Sequence, residues 1–252
     1  MEIQFLMFHI FNKKRFLVDA LSGFVDIHNH ILPGIDDGAK TVEDSIALLK
    51  EFGSFGVTNF IATPHIMQDY YPNTKDTIHT ALHALKNELL NKGLTDIAID
   101  AAAEHMIDAH FEELVEQQEI LPVRADYLLV EMSYLEASLN FEDATKKITG
   151  SGLFPVLAHP ERYGYLHHNK SQFHLFKKNG VLFQLNLLSL SGYYGKDIHK
   201  TAIYLLDNGF IEFVGSDIHN LQHIKALKEI RISKSLMDKV YPIVQNTISV
   251  FY

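Results

Sequence analysis

A chain of 252 residues with no cysteine and 15 histidines cannot make disulfides, thiolate zinc sites, iron–sulfur clusters or a cysteine nucleophile. Its length suits one α/β barrel, and 47% hydrophobic against 21% charged residues is a globular balance that argues against extensive disorder. The net charge of −9 disfavours a broad nucleic-acid footprint, whereas the histidine surplus points towards metal or proton chemistry.

Residues 1–22 read as an N-terminal extension. Their apolar stretch before Lys13, Lys14 and Arg15 is too short for a membrane span and has its charges on the wrong side for a secretory signal. The expectation is a segment that packs on the domain or mediates contacts, with a membrane-surface anchor as the alternative.

From residue 23 onward, short apolar runs alternate with amphipathic stretches. Gly23–Ile27 predicts a strand and Thr41–Phe55 a helix, opened by the capping signature Thr41-Val-Glu-Asp44. The pattern repeats as strand Asn59–Ala62 with helix Asp76–Leu90, then strand Ile97–Ala101 with helix Ala109–Glu119. Strand Tyr127–Val130 and helix Glu142–Gly150 follow, then strand Pro155–Ala158 and helix Gln172–Asn179. Strand Val181–Leu185 pairs with helix Ile198–Asp207, and strand Phe210–Val214 with helix Leu221–Leu236. Runs that are apolar on both faces suit parallel strands covered on both sides. No linker-like segment interrupts residues 23–252. Seven βα units therefore predict a single-domain α/β fold, a barrel closely related to the eight-fold kind, with an open doubly wound sheet as the alternative. Neither a G-x-G-x-x-G fingerprint nor a G-x-x-x-x-G-K-[ST] phosphate loop is present.

Each apolar run ends in a polar residue that can bind a metal. The runs lead into His28 and His30, His65, Glu104, Glu131, His159, Asn186, and Asp217 with His219. In a barrel all these C-terminal strand ends meet on one face. Alternate residues of extended chain point the same way, so His28 and His30 can share an ion, as can Asp217 and His219. More ligands are present than one ion needs, and a His/Asp/Glu set suits manganese, iron, zinc or magnesium. Asp37 and Glu131 also read as loop or cap carboxylates, and Asp36-Asp37-Gly38 as a plain turn. Arg162 offers a planar fork for phosphate oxygens, or else a partner for neighbouring Glu161. His105 follows Glu104 directly and should face away from it. His9, His79, His83, His110, His167, His168, His174 and His199 lie on helical stretches or in the extension and read as surface or core residues.

Several blocks taken together resemble the polymerase-and-histidinol-phosphatase superfamily. They are Asp26-Ile-His-Asn-His-Ile-Leu-Pro-Gly-Ile-Asp-Asp-Gly-Ala-Lys40, Ala62-Thr-Pro-His65, Ala103-Glu104, Ala158-His-Pro-Glu-Arg162 and Gly215-Ser-Asp-Ile-His219. Within it the chain is similar to the bacterial manganese-dependent protein-tyrosine phosphatases that regulate capsule and exopolysaccharide synthesis. The resemblance implies a distorted (β/α)7 TIM-like barrel with a three-ion cluster, manganese being the expected metal. The first ion would take His28, His30, Glu104 and Asp217, the second Glu104, Glu131 and His159, and the third Asp37, His65 and His219. Arg162 would be the catalytic, phosphate-binding arginine. The implied activity is hydrolysis of phosphotyrosine by a metal-bridged hydroxide, with histidinol phosphate or another small phosphoester as the alternative substrate. The implied partner is a membrane-associated tyrosine autokinase for polysaccharide export, met in the cytoplasm at the inner membrane face, and homo-oligomers are common among such proteins. Some relatives carry a second arginine after the position of His219. Here that segment offers His223 or Lys225.

Overall fold

The computed structural model describes residues 14–124 and 126–252. Most of the predicted extension, residues 1–13, lies outside the described residues. Its remainder forms strand β1 (Arg15–Phe16) and a short turn of helix that buries Leu17 and Leu21 completely.

Strand β2 (Val25–Asp26) leads to helix α1 (Val42–Gly53), whose start is set by a reciprocal cap. Thr41 Oγ1 accepts from the Asp44 amide, and the Asp44 carboxylate accepts from the Thr41 amide. The second strand is split into β3 (Asn59–Ala62) and β4 (His65–Ile66) around Pro64, which has no amide to donate. After α2 (Lys75–Asn91) the third strand is split likewise, into β5 (Ala98–Ala101) and β6 (Glu104–Met106). The chain continues through α3 (Phe111–Glu116), β7 (Tyr127–Glu131), α4 (Phe141–Gly150), β8 (Phe154–Ala158) and α5 (Ser171–Lys178). It ends with β9 (Leu182–Asn186), α6 (Lys196–Asp207), β10 (Phe213–Gly215), α7 (Leu221–Glu229), β11 (Arg231–Ile232) and α8 (Lys234–Phe251).

The predicted strands form one curled parallel sheet. Strand β3 lies between β2 and β5, and the order β4-β6-β7-β8-β9-β10 carries the sheet round. The two halves run on through the interrupted strands, where the Ala102 amide donates to Ala62 O and the Glu104 amide to Pro64 O. The ends meet where Asn29 bridges Ile218 in parallel, with the His30 amide donating to Ile218 O and the Asp217 amide to His28 O. The fold is thus a single-domain α/β barrel of TIM-like type with seven staves.

Two apolar layers hold it together. The larger lies between sheet and helices. The smaller fills the barrel interior with Ile27, Ile61, Leu129, Val156 and Phe213. Phe251 from α8 closes the lower end of that interior, edge-on to Tyr127 and Phe213 at 5.1 and 4.9 Å. Burying such a ring contributes on the order of 2 kcal/mol.

The C-terminal region departs from the sequence reading. The predicted helix Leu221–Leu236 is two helices, because Arg231–Ile232 pairs antiparallel with β1 and Ser233 caps a new helix through its side chain. Helix α8 continues well past the predicted end at Leu236, to Phe251. Helix α3 is also shorter than expected, ending before Gln118, whose φ of 58° no helix accepts.

Candidate metal centre

The interior phase of the staves decides which side chains reach the C-terminal face. Leu129 points inward, so Glu131 two residues on does too, and Ile61 and Ala102 set the same phase for His65 and Glu104. His28 and His30 depart from this phase, since Ile27 already faces inward, and His159 breaks it likewise, since Ala158 does. A left-handed backbone at His159 (φ 36°) redirects the chain there, and Asp217 is also left-handed (φ 52°). Two candidate ligands thus sit in conformations that cost about 1–3 kcal/mol each, of the kind concentrated at functional sites.

All nine predicted metal ligands come together, and four overlapping groups have ligand atoms within 4.8 Å of one another. Glu104 is at the centre. Its Oε2 lies 3.2 Å from His28 Nε2, 3.5 Å from His30 Nε2 and 3.2 Å from His65 Nδ1, while its Oε1 lies 3.1 Å from His159 Nε2. Asp217 Oδ1 approaches the same two imidazoles, 3.5 Å from His28 Nε2 and 3.3 Å from His30 Nε2. On the outer side Asp37 Oδ1 is 3.5 Å from His65 Nε2 and 3.4 Å from His219 Nε2. Glu131 Oε1 lies 2.8 Å from His65 Nδ1, so it sits nearer the outer group than the division implied by the resemblance has it.

The ring orientations are fixed from behind. His28 donates from Nδ1 to Gln184 Oε1 (2.7 Å), His30 from Nδ1 to Asp36 Oδ2 (2.7 Å), and His219 from Nδ1 to Asp217 O (2.9 Å). Each bond places the proton on Nδ1 and turns the Nε2 lone pair to the centre, as metal-binding histidines require. Asp36 is therefore more than a turn residue. It also accepts from the amides of Gly38 and His65.

The cluster passes a test of fit for divalent ions. Buried His28 Nε2, His30 Nε2, His65 Nδ1, Glu104 Oε2 and Glu131 Oε1 stand close together yet make no aligned hydrogen bond. Left without partners, such groups cost about 1–3 kcal/mol each. The electrostatics agree. Burial disfavours charge on His28, but Glu104 and Asp217 outweigh it and hold the imidazole above its ordinary range. His30 and His65 are raised well above theirs against the same burial cost, chiefly by Asp36 and Glu131 respectively. Burial would raise Glu104 and Asp217, yet the imidazoles hold both far below the usual carboxylate range. A negative centre that draws protons onto its histidines also draws cations, which displace those protons.

Gly38 is fixed by this geometry. A Cβ there would lie 1.9 Å from His30 O and 2.5 Å from His30 Cβ. That carbonyl cannot retreat, because it accepts from Ala39 N while the His30 amide is tied to Ile218. Gly38→Ala is expected to lower the melting temperature by roughly 4–10 °C, corresponding to an overpacking cost of about 2–3 kcal/mol, and to reduce bound metal. Differential scanning calorimetry with metal analysis checks this, and wild-type values on both would contradict it.

Arg162 lies between the faces of Tyr134 and Tyr194, its guanidinium carbon 4.8 and 4.4 Å from the ring centroids. It pairs with Asp217 Oδ2 rather than with Glu161. Glu161 is fully buried, accepts from the Asn186 amide and Ser189 Oγ, and is pushed by that burial up to about 7. Asn186 Nδ2 donates to the same Asp217 oxygen at 2.8 Å. His223 faces His219 with ring centroids 5.6 Å apart, whereas Lys225 is exposed. His105 faces away from the centre as expected, its Nδ1 3.2 Å from Leu129 O, and burial lowers it to about 4. Of the other histidines read as structural, His167 meets Glu161 O, His199 meets Ser189 O, and His9 lies outside the described residues. Sequence reading missed Asp36, Gln184, Tyr134 and Tyr194 as members of the site. Gln184 alone left a signal, since it precedes Asn186 by two and shares its face.

Fold and site define a TIM-like barrel with candidate metal-binding groups at the C-terminal ends of its strands. Residues 24–241 match the family described as capsular polysaccharide synthesis, CpsB/CapC, and the chain belongs to that family. CapC of Staphylococcus aureus is 32% identical over 200 residues, covering 78% of this chain and 77% of CapC. The tyrosine-protein phosphatase YwqE of Bacillus subtilis is 29% identical over 199 residues, 79% of this chain and 78% of YwqE. A crystal structure from a study of YwqE and of CpsB from Streptococcus pneumoniae, described there as metal-dependent tyrosine phosphatases, superposes with a TM-score of 0.79. It is 25% identical and covers 90% of this chain and 93% of that one.

Proposed function

We propose that this chain is a metal-dependent protein-tyrosine phosphatase that hydrolyses a phosphotyrosine monoester to tyrosine and inorganic phosphate. The observation that carries this reading is the convergence of five imidazoles and four carboxylates, with partnerless buried lone pairs, in a member of the CpsB/CapC family. His28, His30, Asp37, His65, Glu104, Glu131, His159, Asp217 and His219 hold a cluster of three divalent ions, manganese in the cell. Bound there, such ions supply Lewis-acid charge for the phosphoryl oxygens and lower the pKa of water.

The chain's own groups do the rest. Arg162 presents two parallel N–H donors to the phosphoryl oxygens and offsets charge that develops on them. Its side chain is one-fifth exposed, enough to meet a ligand while the two tyrosine rings restrict its motion. Tyr71 stacks on His65 and Tyr134 on His159, which leaves aromatic surface on either side of the centre for the substrate's own ring. With no cysteine in the chain, no thiolate phosphoenzyme forms.

Residues 23–252 act as the catalytic unit and residues 1–22 as its extension. No helix among the described residues is long and apolar enough to cross a membrane. We place the reaction in the cytoplasm, with a membrane-associated tyrosine autokinase as the physiological substrate. The family's link to capsular polysaccharide synthesis supports that assignment.

Chelation is expected to abolish turnover of a phosphotyrosyl peptide and to lower the melting temperature, because ions that bind only the folded state stabilise it. Added manganese should restore both. Undiminished activity in chelated protein shown to be metal-free would overturn the reading. Faster turnover of histidinol phosphate than of the peptide would redirect it to small phosphoesters.

A further inference from the structure

A cavity of about 960 Å³ opens onto the candidate metal centre and shares Asp37, His65 and Glu131 with it. It is far larger than one phosphotyrosyl side chain requires. Its walls come from the loop around residues 67–71 and the loop around 133–140. These loops expose apolar side chains to an unusual degree: Tyr70 is 75% exposed, Leu135 91% and Leu139 105%. Isolated exposed apolar residues are ordinary, but several along one groove that leads into a reaction centre mark a contact surface.

The charge of the groove narrows the occupant. No lysine or arginine lines it, and its charged side chains other than His65 are all carboxylates. Some of these are committed elsewhere. Asp37 and Glu131 belong to the centre, Asp108 accepts from the amides of Gln68, His110 and Phe111, and Glu112 pairs with Lys147. Asp69 and Glu136 remain, one on each wall loop. Both are exposed, and neither has an ion-pair partner within 4.0 Å among the described residues. The exposed ring of Tyr70 beside them offers a face on which a cation can rest.

We infer that this groove selects phosphotyrosyl polypeptide segments carrying lysine or arginine next to the phosphotyrosine, with Asp69 and Glu136 as the specificity-determining charges. The inference rests on the phosphatase reading. The phosphate is drawn to the metal centre and Arg162, while the flanking chain lies along the apolar walls and meets only negative charge. Acidic flanks are repelled there and basic flanks held, a discrimination typical of electrostatic complementarity between partners.

The test compares phosphotyrosyl peptides that differ only in having lysine, alanine or glutamate at the flanking positions. The manganese-loaded full chain is used, and each kcat/KM is divided by that for free phosphotyrosine. Lysine-flanked peptides should exceed glutamate-flanked ones by about tenfold at low ionic strength, mostly through KM, with the ratio shrinking at high salt. In the double variant Asp69→Lys, Glu136→Lys the ratio should invert. A ratio of one in the wild type, or the same ratio in the variant, would overturn the inference. So would an unchanged ratio accompanied by a change in oligomeric state on sedimentation, which would assign the groove to a second copy of the chain. Failure to hydrolyse free phosphotyrosine as well as every peptide would instead remove the phosphatase reading itself.

Discussion

Glu104→Gln is expected to lower phosphotyrosine turnover by at least about 10³-fold and to strip metal from the folded protein. The substitution keeps size and shape, so its effect is that of one lost charge at the point where His28, His30, His65 and His159 converge within 3.1–3.5 Å. These imidazoles arrive on three different staves, His28 and His30 together on the first, and among the described residues Glu104 is the one carboxylate that touches all four. An amide presents an N–H to at least one imidazole where a carboxylate oxygen had stood, and attracts a cation less. Loss of a partner outside the ligand sphere already costs about 10- to 100-fold in metal affinity or activity, and a carboxylate at its centre should cost more. Inductively coupled plasma analysis of bound metal, paired with peptide turnover, gives the readout. Because the side chain is wholly buried, circular dichroism must show a folded variant. A folded variant with wild-type metal content and turnover would show that the centre is not organised around this residue.

The second large effect falls on Arg162. Arg162→Met should reduce kcat/KM by about 10²–10³-fold, the scale seen when one preorganised donor to developing charge is removed, while bound metal stays at the wild-type level. Asp217 keeps its Oδ1 towards His28 and His30, and Asn186 still donates to its Oδ2, so the ligand set survives the loss of the guanidinium. Arg162→Lys should recover only a small part. Lysine lacks the planar fork, and it cannot stack between Tyr134 and Tyr194 as a guanidinium does. If the methionine variant instead lost metal in proportion to activity, Arg162 would belong to the scaffold of the centre and not to phosphate binding.

These two residues show how far local pattern reaches. Glu104 is legible because a polar residue follows an apolar run and alternation along a strand places it on the interior face, whereas Arg162 is legible only from its place three residues after His159, on a short turn beyond the strand. The same rule picks out His65, Glu131, Asp217 and His219, but not the direction of His28 and His30, since neighbouring Ile27 already faces inward. It does not explain His159, whose inward direction depends on a left-handed backbone that the strict period excludes. Nor does it distinguish a partner for Arg162, since adjacent Glu161 was as good a candidate as Asp217, 55 residues away. The C-terminal break is a further case. Residues 221–236 have helical periodicity throughout, and only pairing of Arg231–Ile232 with β1 interrupts it.

By itself, then, the sequence determined the type of fold, the chemistry of the donor set and the end of the barrel where those donors gather. Periodicity and ligand type are local properties, carried by residues a few positions apart. The tertiary structure decided which nitrogen of each imidazole faces inward, because that depends on partners such as Gln184, which stands 156 residues from His28. It also decided that Arg162 is held between two tyrosine rings, and that a wide acidic groove adjoins the centre. Hydrogen bonds, ring stacking and the charge of a surface arise between residues that only the folded chain brings together, and no spacing along the sequence records them.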